Sequence, residues 1–127
     1  MNDPALTLMQ WLSPAFPVGA FAYSHGLEQA IADGQVTDDA SLQSWITVLI
    51  TQGSCKADAI LLTAAYNAAN PRDVDATARA FAASAERLKE SDLQGAAFCD
   101  TARAVWNISI SGLTYPVAVG AAARAME

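Results

Sequence analysis

The stretch TDDASLQSWITVLI, from Thr37 to Ile50, decides the fold. Leu42, Trp45, Ile46, Leu49 and Ile50 recur at spacings of three and four, which a helix brings onto one face. Ahead of them, Thr37-Asp38-Asp39 offers side-chain oxygens to the unpaired N–H groups of a first turn and negative charge to its dipole. The segment is predicted to be an amphipathic helix.

The same periodicity recurs on either side. Val74, Ala78, Phe81, Ala82, Ala85 and Leu88 form a second stripe that starts after Asn70-Pro71 and Asp73 and leaves Arg79, Glu86 and Arg87 outside it, which predicts one helix. Leu93, Ala97, Ala104 and Val105 predict a helix from about Asp92 to Trp106, and Ala57, Ile60, Leu61 and Ala64 predict one before Asn70. Gly53 either separates the latter from the Trp45 helix or sits within a single long one. Leu6, Met9 and Gln10 predict a first helix, closed by Pro14.

Pro116 suits the first turn of a last helix, where its missing N–H has no partner to lose. No stop signal follows up to Met126, so this helix is expected to run to the end of the chain. Its small apolar surface, PVAVGAAARAME, is expected to need further helices to cover it. Strand-like alternation is confined to Ile108-Ser109-Ile110, and no repeat or low-complexity linker is visible. The fold class is therefore all-α: a helical bundle of about six helices forming one domain over residues 1–127, part of a larger all-α domain.

Composition narrows the function. Of 127 residues, 53% are hydrophobic and only 16% charged, an apolar balance that suggests surface covered by a partner. The net charge is −6 and the seven basic residues are scattered, which excludes an electrostatic footprint for nucleic acid or anionic lipid. MNDPALTLMQ lacks a basic start and an apolar run, so it is not a secretory signal, and no later run approaches the roughly 20 residues of a membrane span. A cytoplasmic protein is expected, and Cys55 and Cys99 read as small buried thiols rather than a disulfide.

Between the first two helices, WLSPAFPVGAFAYSHGLEQAI (Trp11 to Ile31) sets two prolines and two glycines among core-type residues. Gly19 stands where a positive φ or a close backbone approach is wanted. Ser24 is expected to cap the next helix, which then runs to Asp33-Gly34. Gly26 in its first turn implies that another element approaches closely, or that the glycine is merely tolerated near a helix end. His25 is the sole histidine; on a helix it points about 100° away from Ser24, so the two cannot form a nucleophile–base pair. His25, Cys55 and Cys99 lack metal-site spacing, and no Gly-rich phosphate loop is present, so no cofactor is expected. Glu28 and Asp58 lie in apolar helical stretches where burial demands a partner, inside the chain or across an interface.

From Leu8-Met9-Gln10-Trp11-Leu12-Ser13 to Ser24-His25-Gly26-Leu27-Glu28, the chain resembles the N-terminal signature of the UreF family of urease accessory proteins. The likeness continues through Gly34-x-Val36, Leu42-x-x-Trp45-Ile46, Ala57-Asp58-Ala59, Glu90-Ser91-x-x-x-Gly95 and Tyr115-Pro116-Val117-Ala118-Val119-Gly120. It covers essentially the whole chain but only the first part of the family's usual length.

The resemblance implies an all-α, non-enzymatic accessory protein, often dimeric. Such a protein joins UreD and the GTPase UreG in delivering nickel to apo-urease, and couples GTP hydrolysis by UreG to metal transfer. It also points to Ser24, His25, Gly26, Glu28 and Asp58 as partner-interface residues. Two rival readings rest on residue types alone: a small hydrolase using Cys55 or Cys99 with His25, and a helical oligomerisation module built on Gly120-Ala121-Ala122-Ala123.

Overall fold

A computed structural model describes residues 3–127. Among them are seven α-helices, with no strand: α1 (Pro4–Trp11), α2 (Leu27–Ala32), α3 (Asp39–Thr51), α4 (Ser54–Asn67), α5 (Pro71–Ala80), α6 (Ala85–Trp106) and α7 (Tyr115–Ala125). The all-α expectation holds. The described residues divide into two compact units, one of residues 3–20 with 61–127 and one of residues 21–60.

The starts of α3, α5 and α7 are where the sequence places them, whereas α6 begins at Ala85 rather than near Asp92. Asp38 caps α3: its carboxylate accepts from Ser41 N–H at 2.8 Å, while Ser41 Oγ accepts from Asp38 N–H at 3.0 Å. The bonds from Ser41 hold the Asp38 carboxyl below its ordinary pKa. Asn70 caps α5 ahead of Pro71. Gly53 separates α3 from α4, since α3 closes at Gln52.

Three expectations are corrected. The stripe from Val74 to Leu88 is two helices. The chain leaves α5 at Phe81, which is 83% exposed, and restarts where Ser84 Oγ accepts from Arg87 N–H at 3.1 Å. Ser84 with Glu86 behind it is a helix start that apolar periodicity overrides in the sequence reading. The last helix ends within the chain, at Ala125, where Met126 N–H bonds to Ala123 O. Its small-residue surface is also already covered, for every residue from Pro116 to Ala122 is buried.

That burial makes α7 the centre of the first unit, packed on α6 and α5. Gly120 lies against the Leu62 carbonyl of α4 and Ala65, and Gly95 of α6 lies under the Leu113–Tyr115 backbone; a Cβ at either would overlap it. The small residues that suggested an oligomer seam thus bring helices together within the chain.

The start of α7 is capped from outside. Thr114 makes no side-chain cap to its own helix; its N–H and hydroxyl instead donate to Asp75 Oδ1 of α5 at 2.7 and 2.8 Å, and Tyr115 N–H donates to Ser91 Oγ of α6 at 3.2 Å. Arg79 bonds Asp75 at 2.7 Å and Asp92 at 2.7 Å, closing the network over three helices. Beside it Trp11, Phe16, Phe98, Trp106 and Tyr115 form an aromatic cluster, with Trp11 edge-on to Phe98 at 5.4 Å and to Trp106 at 5.7 Å. Phe16 and the buried Val18 anchor the proline-rich loop in this core.

Candidate partner-binding groove

The unit of residues 21–60 is built differently. Its buried residues are Ala30 and Val36 alone among those described, and α3 has none. Its distinguishing feature is the turn before α2, where His25 (φ 53°) and Gly26 (φ 86°) both take the left-handed conformation. A non-glycine residue there is uncommon, although histidine is among those that tolerate it better. Two such residues in succession reverse the chain so that Leu27 N–H donates to Ser24 O at 3.0 Å and Ala30 N–H to Gly26 O at 3.0 Å.

This corrects the reading of Ser24 as helix cap. Gly26 holds the N-cap position without a side-chain bond, and α2 begins only at Leu27. Close approach is not the reason for the glycine either, since a Cβ there would meet nothing within 4 Å; the positive φ is. At the far end Gly34 (φ 72°) closes α2, as Asp33-Gly34 predicts.

The turn places His25 at the rim of an open groove of about 580 Å³, where Trp45, Val48 and Leu49 of α3 supply apolar surface and Gln35, Ser41 and Ser44 supply hydrogen-bonding groups. His25 Nδ1 lies 3.5 Å from Ser54 Oγ, at the start of α4. Phe21, 95% exposed, and Tyr23 precede the turn.

The five residues marked from the sequence are distributed unevenly. Ser24, His25 and Gly26 are brought together as the turn itself. Glu28 sits exposed in the first turn of α2, where a carboxylate complements the helix dipole. Asp58 is half-buried on α4, one helical turn beyond Ser54 and therefore on its side of the helix. The sequence reading missed Gln35, Trp45 as groove lining rather than core, and Ser54. The dipeptide His25-Gly26, a residue that tolerates positive φ followed by one that prefers it, was the available signal.

An imidazole, several hydroxyls, an amide and an indole suit recognition of a partner surface. Nucleophilic chemistry finds little support. Cys99 is buried and its thiol is pushed up, by burial first, which disfavours the thiolate. Among the described residues no group of three or more His, Cys, Asp and Glu side chains converges as metal ligands, and no helix is long and apolar enough to cross a membrane.

Fold and groove together define an all-α protein with an open groove beside His25. Comparison with known proteins gives the family: the UreF profile matches residues 36–127, and the chain belongs to the UreF family. It is 55% identical over 127 residues to the urease accessory protein UreF of Roseobacter denitrificans, covering 98% of this chain and 57% of that one. The UreF of Ruegeria sp. TM1040 is 56% identical over 126 residues (97% and 59%), and that of Ruegeria pomeroyi 50% over 122 residues (94% and 56%). The chain thus spans less than three-fifths of the length of these relatives. Their shared name describes an accessory to an enzyme, not an enzyme. No solved structure matches the chain.

Proposed function

We propose that this chain acts without catalysis in urease maturation, helping to assemble a complex of UreD, UreF and UreG that inserts nickel into apo-urease and couples GTP hydrolysis by UreG to metal transfer. The observation that carries this reading is family membership at 55% identity over 98% of the chain. The groove beside His25 supports it as a recognition surface, because a turn with two successive left-handed residues keeps that strain where a fixed presentation of side chains is useful. In this reading Ser24, His25, Gly26, Glu28 and Asp58 belong to the partner interface, the protein works in the cytoplasm as a homodimer, and nickel passes to urease without a resident site built of His and Cys.

The test is affinity capture of the tagged chain from cells co-producing UreD, UreG and the urease subunits, beside the His25→Ala form. Capture of UreD and UreG, weakened about tenfold by His25→Ala, is the expected result. Failure to capture either protein, with the chain folded by circular dichroism, overturns the proposal for this stretch.

A further inference from the structure

The groove beside His25 combines an apolar lining with an acidic surround. Along α3 it is lined from Ser41 through Trp45 and Val48 to Leu49, a rise of about 12 Å or two helical turns. At one edge Ser41 Oγ lies 2.7 Å from the Asp38 carboxylate, which is itself exposed. Asp39 follows in the first turn of α3, and Glu28 and Asp33 stand exposed at the two ends of α2. Asp33 and Asp38 accept from the Gln29 amide and from Ser41, neutral groups that leave the charge uncompensated. Against these four carboxylates and Asp58, residues 21–60 hold one cation, Lys56, so four of the six net negative charges fall on this unit.

We infer that the groove receives a basic amphipathic helix of a partner protein, with a short apolar stripe on the indole and aliphatic lining and Lys or Arg towards the acidic surround. The inference rests on the groove being a recognition surface and adds the sign of charge its partner presents. Trp45, Val48 and Leu49 select apolar side chains at helical spacing, and two turns are the length that such a helix lays into a groove. The carboxylates select the polar face, because like charges brought together at a contact are strongly disfavoured while opposite charges speed encounter. The N-terminus of α3, where an anion would otherwise be drawn, is already met by Asp38 and Asp39. A nucleic acid has the wrong sign. So does a second copy of this chain, which would set one acidic unit against another across a two-fold contact.

The test titrates this chain with two synthetic helical peptides of about four turns that share a leucine stripe, one with lysine and one with glutamate at the remaining positions. The lysine peptide is expected to bind at least tenfold more tightly. Its affinity should fall at least threefold in Asp33→Asn/Asp39→Asn and again in Val48→Ser, rise in Lys56→Glu, and drop as salt is raised. Circular dichroism confirms that each variant is folded. Equal binding of the two peptides overturns the inference, and so does lysine-peptide binding that Val48→Ser leaves unchanged, which would be charge attraction away from the groove. Preference for the glutamate peptide, or binding of neither, overturns it as well. If His25→Ala still weakens capture of UreD and UreG in those cases, the groove remains a recognition surface and only the basic partner is lost. Self-association of the chain that Val48→Ser abolishes would assign the groove to a second copy and overturn the inference too.

Discussion

Replacing Asp75 with alanine should destabilise the first unit by about 3 kcal/mol. The carboxylate is only 6% exposed and accepts three hydrogen bonds, from the N–H and hydroxyl of Thr114 and from Arg79. Without it the Thr114 N–H, on a residue 2% exposed, loses its partner away from water, which costs about 2 kcal/mol. The hydroxyl loses a charge-assisted bond but can rotate, adding about 1 kcal/mol. The Arg79 pair adds little, because that side chain is 36% exposed and keeps Asp92. Asp75→Asn retains an oxygen for the Thr114 N–H and should cost about half as much.

The effect has a pH signature. Burial works to raise the pKa of Asp75, but the bonds from Thr114 and Arg79 and the Arg79 charge outweigh it, leaving the carboxyl below its ordinary value. Its contribution is therefore complete above the unfolded pKa of about 3.9 and fades as pH falls through the lower folded value. The advantage of the wild type over Asp75→Ala should be constant near neutrality and narrow below about pH 4. Urea unfolding followed by tryptophan fluorescence in a Trp45→Phe background reads this unit, where Trp11 and Trp106 lie. A loss below about 1 kcal/mol at pH 7, or a gap that stays constant to pH 3, would refute the reasoning.

Three further outcomes are expected. Gly120→Ala should lower stability by about 2 kcal/mol despite alanine's better helix propensity, because its Cβ meets the backbone of α4; an unchanged urea midpoint would mean that α4 and α7 can move apart. Gly26→Ala should cost about 1 kcal/mol through backbone strain alone, with no steric neighbour, whereas His25→Gly should be near neutral for folding; thermal unfolding of the pair checks the order. In the folded protein an alkylating probe should modify the half-buried Cys55 well before Cys99, and mass spectrometry showing the reverse would contradict the burial of α6 at Cys99.

How far the sequence could be read depended on how local the deciding interactions were. The caps at Asp38 and Asn70 and the proline at position 116 are choices made within four residues, and they placed the starts of α3, α5 and α7 correctly. The break at Phe81 was hidden because alanines preserve the spacing of an apolar stripe through residues where Ser84 starts a new helix. The most consequential acid was hidden too. Glu28 and Asp58 drew attention by their apolar neighbours, yet the carboxylate that ties three helices is Asp75, in the polar-looking run PRDVDATARA, and its partner Thr114 lies 39 residues away. At the site, His25 and Gly26 stood out in the sequence, but the groove beside them needed the fold to bring α3 alongside.

The small residues of α7 and the bulky ones of α3 were both apolar surplus in the sequence, and the structure assigns them opposite uses. Alanine and glycine at 118 and 120–122 allow backbones to approach, so α7 is enclosed by helices of this chain from Pro116 to Ala122. Isoleucine and valine on α3 are bulky where α7 has glycine and alanine, and Ile46, Val48 and Ile50 remain exposed. Bulky apolar side chains left unburied on a helix are the kind of surface on which the proposed accessory role would draw.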